Sequence, residues 1–493
     1  MSRADATTTR VPPNTHILRR SPLALCLAGV LASAGAADVH EASRPTPYSS
    51  ARERGSDFAY RSAPLAVRSP DRIANTLPVT SCADDNSAGT LRAVLASAAD
   101  GDTVDLTALT CGTITLALGA VQSDVDNVTI VGPGRDQLTI DAAHLDRAIV
   151  LGGAGTLSIA DVTIVNGYLP GDYNGGCVRS YGSLSLTRTT VSGCEIAAVG
   201  YAAGGGAAAR ADMSVVDSTI SGNSISASSN YYGYLYGGGV NAVGTMTITG
   251  SSVSGNTQQF LGDVTPYSIA YGAGMASHSD TTITASTIDG NAGSTYGGGV
   301  FVVGQSGVFT RLSILRSTIS GNAASLGGGG VSVGGLFDAN VSSFVLHGST
   351  IAENTTGGAG GGLRFRDYTL ADVQSTIVAS NVAASNADLD AVESLAIYGA
   401  DNLIDEADPD VALPADTLHG DPGLQPLADN GGPTRTHALA AASPAIDAGN
   451  NYFDDAFDQR GAGYVRVSGG RADIGAFEVQ ADDRIFADGF DGP

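Results

Sequence analysis

The sequence predicts an all-β fold, a parallel β-helix of short strands stacked coil on coil. Two observations lead there. A glycine-rich string recurs through the middle of the chain, and apolar residues alternate within it. Four ungapped windows align at 175–194, 204–223, 237–256 and 272–291. In each, the apolar residue after the glycines (Val178, Ala207, Val240, Met275) lies 13 residues before a β-branched one (Val191, Ile220, Val253, Ile288). In the third window Val240 and Ala242, then Met246 and Ile248, then Val253 keep a period of two, the spacing of one face of a strand. A constant arc joined to an arc of variable length is the behaviour of a solenoid. Each coil of such a solenoid has three short strands and climbs about 4.8 Å, one inter-strand spacing.

The elements follow in order. Residues 1–36 have the features of an export signal: Arg19 and Arg20, the apolar run PLALCLAGVLASAGA, and a small-residue cleavage site at Ala34-Gly35-Ala36. That run is too short to span a membrane. Residues 37–75, rich in Ser, Pro and Arg, read as a disordered leader or propeptide. An N-terminal cap and first coils occupy 76–150, and the repeats occupy 151–384. Three looser copies close the series: GGGVFVVG with STISGN at 317–322, GGGGVSVGG with STIAEN at 349–354, and GGGLRFRD with STIVASN at 375–381. The asparagines 223, 256, 291, 322, 354 and 381 end equivalent strands and should stack as a hydrogen-bonded ladder that satisfies turn backbone. Residues 385–480 are loop-rich and acidic, and 481–493 form a tail with no hydrophobic anchor.

Composition removes several functions. The 493 residues carry a net charge of -24, and every basic residue other than histidine is an arginine. That balance opposes a nucleic-acid or anionic-membrane partner. Phosphate-binding loops need a lysine after their glycines, and calcium-binding β-rolls need an aspartate there; neither is present. No cofactor or metal is expected. Outside the apolar run four cysteines remain, Cys82, Cys111, Cys177 and Cys194. In an exported chain they suggest two disulfides, with three possible pairings. Cys177 replaces a third glycine and Cys194 a turn asparagine of the same window, which favours a Cys177–Cys194 bond and leaves Cys82–Cys111 to close the cap. Cys194 reaching an adjacent coil is the other reading.

SCADDNSAGTLRAVLASAADGDTVDL, followed by GTITL and VTIVGPGRDQLTIDA, resembles the N-terminal cap of bacterial right-handed parallel β-helix proteins with the pectin-lyase-like fold. In that resemblance Leu91, Val94 and Leu95 form the apolar stripe of a short capping helix. The repeats are similar to those of polymorphic outer-membrane-protein passengers. DPGLQPLADNGGPTRTHALAAASPAIDAGN, then DQRG and ADIGAFE, resembles the choice-of-anchor Q domain of bacterial surface proteins, with a loop-rich C-terminal cap. The likeness implies a secreted, extracellular or cell-surface protein without an established reaction.

Function is therefore sought on the surface. The variable arcs carry Tyr231, Tyr232, Tyr234, Tyr236, Phe260, Tyr267 and Tyr271 on one side. Such rings, among Ser, Asn and Gly, make adaptable contact surfaces and stack on sugars. They suggest an adhesin-like, non-catalytic role with a carbohydrate or a host or neighbouring cell surface as partner. The alternative is a polysaccharide lyase or hydrolase acting on an acidic polysaccharide, for which Arg364, Arg366 and Asp367 form the compact charged group. Near the C-terminus, Asp447, Asp454, Asp455 and Asp458 could take calcium. Ion pairing among Asp458, Arg460, Arg471 and Asp473 is the favoured reading.

Overall fold

The computed structural model describes residues 73–480 apart from 172, 229–232, 262–266, 305–308, 335–341, 367–368 and 394. The export signal, nearly all of the leader, the tail, Tyr231, Tyr232 and Asp367 lie outside the described residues. The chain is nearly all β and forms a parallel solenoid. In each coil the chain passes through three sheets in turn. The glycine-side sheet has 10 strands (Val178–Ser180 is one), the long sheet 13 (Ser183–Thr187) and the asparagine-side sheet 11 (Thr190–Ser192). All of their ladders are parallel and in register, so that Val178 meets Ala207, Leu184 meets Met213 and Val191 meets Ile220. Inward Val, Ile, Leu and Met of successive coils make one continuous core. At the N-terminal end the helix Leu91–Ser97 buries Leu91 and Leu95, with Thr90 as its N-cap and Val94 half-buried against the same core.

The glycines and asparagines explain each other. The first glycine of each cluster (Gly204, Gly237, Gly272) lies in the left-handed region at φ 65°, 60° and 59°, where a side chain is strained. The third faces the ladder: a Cβ on Gly239 would sit 2.9 Å from the Asn256 amide, and one on Gly206 2.9 Å from that of Asn223. Each buried asparagine donates its Nδ2 to the Oδ1 of the next at 2.9 Å, from Asn223 through Asn381. The chain of dipoles ends on Asp388, which accepts at 2.8 Å. Burial holds that carboxyl above its ordinary range. At the opposite end Cys194 takes the asparagine position and Cys177 the third-glycine position, and the two are joined, as are Cys82 and Cys111. The third glycine and the asparagine, which face each other in the coils that follow, have both become cysteine in this one.

Two features depart from expectation. The described residues of the variable arcs form a fourth sheet of 10 strands. Outgoing strands (Glu195–Ala198, Ser224–Ala227, Thr257–Phe260) and returning strands (Tyr201–Ala203, Gly233–Tyr236, Ser268–Tyr271) build the two walls of an arm. Between them lies a small core of Ile196, Ile225, Leu235 and Ala270. Successive arcs pair because the coils below hold them one rung apart. The C-terminal region also does more than close an end. It folds back along the outer face of the asparagine-side sheet, where Thr287 donates to the Arg435 carbonyl at 2.6 Å and Thr318 to Gln459 Oε1 at 2.6 Å. Leu439, Ile474 and Phe477 pack there on Ile377 and Leu403.

Candidate functional site

The three sheets differ in what covers their outer faces. On the glycine-side sheet the arm lies against the coils, and the aromatic rings of its returning wall are the mortar. Tyr236 stacks on Tyr271 with centroids 5.2 Å apart, and Tyr271 meets Phe301 at 4.4 Å. Tyr236 and Tyr271 are only 2% and 1% exposed. These two rings, expected at a contact surface, are packed instead between arm and coil. Desolvation raises the phenol pKa of Tyr271 above its ordinary value. His278 is buried beside Tyr236, and burial lowers its pKa to about 4. Of the other expected residues, Tyr234 and Phe260 are half-buried and pack against these clusters, and Tyr267 is 56% exposed.

Arg364 and Arg366 come together as the sequence suggested, over one ring. Their guanidinium carbons lie 5.8 and 4.5 Å from the centroid of Tyr296. Arg364 is tied down: Asp390 is 3.2 Å from its Nε, and its Nη1 donates to the Leu326 carbonyl. It crosses Gly327, where a Cβ would lie 2.1 Å from Nη1. The pair therefore extends the aromatic stack by one rung, and beside Arg364 the carboxylates of Asp390 and Asp408 both accept from Asn386 Nδ2, at 2.7 and 2.8 Å.

In the C-terminal region Arg460 pairs with Asp458 at 2.7 Å between the rings of Tyr464 and Phe477. Arg471 pairs with Asp401 rather than Asp473. Asp473 accepts from the backbone of Asp447 and Val479. Asp455 pairs with Arg316 at 3.2 Å. Arginines thus engage two of the four aspartates considered for calcium.

The long sheet is different. Its strands keep alternating burial as far as Thr281–Thr284, Ser313 beyond them is buried, and its outward residues form columns in strict register. One column reads Ser158, Ser185, Ser214, Thr247, Thr282 and Ser313, a hydroxyl on every rung. Beside it run Thr187, Val216, Thr249 and Thr284. Rungs about 4.8 Å apart make this a flat lane of small polar groups.

The lane ends in a cleft of about 390 Å³ that the sequence reading missed. Three strands lengthen there to six residues, Thr310–Leu315, Ser342–His347 and Thr369–Gln374. Their outward residues change from Ser and Thr to Arg311, Leu315, Val345, His347 and Asp372. The folded-back loop brings Phe453 over His347, with rings stacked 4.5 Å apart, and Asp455 onto Arg316. His347 is 6% exposed, and neither of its ring nitrogens has a hydrogen-bond partner among the described residues. Its Nε2 lies 3.4 Å from Asp372 Oδ2. Burial lowers its pKa and outweighs the opposing effect of Asp372, which keeps the imidazole uncharged at neutral pH. The sequence signal was present in the lengthened strands TRLSIL, SSFVLH and TLADVQ, where charge enters a Ser/Thr column.

No known protein-family profile matches the chain. No curated protein matches it either. Among solved structures it is similar to the crystal structure of the pectate lyase Pel9A, at 14% identity over 83% of this chain and 97% of that one, with a TM-score of 0.41.

Proposed function

We propose that the chain is an exported, non-catalytic β-helix that binds an extended glycan along the outer face of its long sheet. The observation that carries this reading is the uneven covering of the solenoid. The arm closes the glycine-side face and the C-terminal region closes much of the asparagine-side face. The long sheet keeps a column with a hydroxyl on six successive rungs. Regularly spaced hydroxyls fit a polymer that itself presents hydroxyls at regular intervals, and each contact contributes little alone. An extracellular setting is supported by the signal-like N-terminus and the two disulfides. An adhesin-like role moves, in this reading, from the tyrosine arcs to the long sheet. The test is affinity electrophoresis in gels containing soluble polysaccharides. Thr249→Arg with Thr284→Arg should abolish retardation of a polymer that retards the unaltered protein; unchanged retardation removes the reading.

A lyase or hydrolase acting on an acidic polysaccharide draws on one observation, the uncharged His347 beside Asp372. Incubating the protein with uronate polymers and measuring new chain ends tests it, with His347→Gln as control.

A further inference from the structure

We propose that the cleft beside Phe453 is a binding site for an uncharged sugar ring, with Phe453 as an apolar contact and His347, Asp372 and Arg311 as hydrogen-bonding partners. The inference deepens the glycan-binding reading above, since it names what one end of the lane selects. It rests on three features.

The first is a built cavity of suitable size. About 390 Å³ lies at the low end of small-molecule sites, roughly 300–1,000 Å³. Phe453, stacked on His347 at 4.5 Å, supplies apolar contact together with Leu315 and Val345, and Arg311, Asp372 and His347 supply polar groups, the mixture found in small-molecule sites.

The second is unmet hydrogen-bonding capacity. A buried polar group without a partner is destabilising, and a ligand that satisfies it relieves that cost. His347 lines the cleft with Nδ1 unpartnered among the described residues and Nε2 3.4 Å from Asp372 without hydrogen-bond geometry. The neutral imidazole has one donor and one acceptor, which a hydroxyl satisfies in either direction. Asp372 can accept from a neighbouring hydroxyl. Arg311 is exposed and has no ion-pair partner among the described residues, so its guanidinium can donate to another.

The third is charge. Arg316 is paired with Asp455, Arg311 and Asp372 carry opposite charges in the same lining, and His347 is neutral. The cleft is electrically balanced, in a chain whose net charge is -24. A carboxylated sugar would bring a negative charge to a cleft whose lining charges sum to zero, against the field of the whole protein. An uncharged sugar meets neither penalty.

Titration calorimetry on the whole protein tests this, with cellohexaose and mannohexaose as neutral probes and the galacturonate hexamer as the acidic one. At least one neutral hexamer should bind, and the acidic one should bind about tenfold more weakly or not at all. Phe453→Ala and His347→Gln should each lower the neutral affinity by about tenfold, with the circular dichroism spectrum unchanged. Phe453 is 53% exposed, and its truncation leaves the coils intact. Preferential binding of the galacturonate hexamer, reduced by Arg311→Ala, would overturn the proposal. So would neutral binding that Phe453→Ala leaves untouched. If no hexamer binds while a polymer still retards the protein through Thr249 and Thr284, the cleft proposal falls and the lane reading stands. If polymer retardation also survives the Thr249 and Thr284 changes, both fall.

Discussion

The glycine-side and long sheets belong to the same coils, yet one is sealed and the other is open. Ala208, Ala276 and Phe301 point outward from the glycine-side sheet and are almost wholly buried. Thr247, Thr249 and Thr284 point outward from the long sheet and meet solvent. The difference comes from where the arcs leave the coil. They leave after the asparagine turn and return at the glycines, so their returning wall lies against the glycine-side sheet. The lesson is that length variation in a solenoid can cover a face as readily as it can create a binding loop. Which of these happens is decided by the side chains at the base of the arc, here Tyr236 and Tyr271.

The comparison can be broken hardest at that base. Tyr271→Ala removes a fully buried ring from between arm and coil and should destabilise by about 3–5 kcal/mol. The urea midpoint should fall, and the arm should become the first site of proteolysis. A loss below about 1 kcal/mol, the ordinary scale of a surface change or less, would mean that the arm does not rest on its rings.

The interior that both faces share is next. Asn291→Ala removes a ladder link that receives from Asn256 and donates to Asn322. Unpaired buried groups at roughly 1–3 kcal/mol each make a loss of about 2–3 kcal/mol the expectation, again read from the urea midpoint.

The third flank gives a pH dependence. Glu478 lies in the C-terminal region with Arg466 at 3.3 Å, and burial raises its pKa from 4.5 to about 7. A carboxyl whose folded pKa is raised binds its proton more tightly in the folded state. Its contribution is therefore complete below 4.5 and is lost as pH rises towards and through about 7. Asp473 and Asp388 are shifted in the same direction, chiefly by burial. The melting temperature should fall over this range by an amount on the order of 1–2 kcal/mol in stability, and Glu478→Gln should flatten the profile. An unchanged slope in that variant would assign the dependence elsewhere.

The smallest effect on stability belongs to the open face. Thr249→Val should change stability by no more than about 0.5 kcal/mol.

Much of this architecture was legible in the sequence because the constant arc has a fixed length. The period-two pattern of Val240, Ala242, Met246 and Ile248 places each residue inside, and the paired departures at Cys177 and Cys194 mark two positions in contact. The arm was harder to see. Its strands alternate too, as Ile196 with Ala198 and Ile225 with Ala227 show, but arcs of unequal length cannot be aligned by spacing. The tyrosines gave no sign of their burial, since a ring that faces a ligand and one that faces the next sheet occupy the same alternation. The cleft was out of reach for another reason. Arg316 and Asp455, or His347 and Phe453, meet only because the C-terminal region doubles back along the coils, and no local pattern records that return.

The most direct measurement compares polymer retardation for two altered proteins. One carries Thr249→Arg and Thr284→Arg on the long sheet; the other carries Tyr267→Ala on the arm. If the long sheet is the contact face, the first loses retardation and the second keeps that of the unaltered protein. Loss in the Tyr267 variant, with retardation kept in the long-sheet variant, would contradict the account and return the binding surface to the arm.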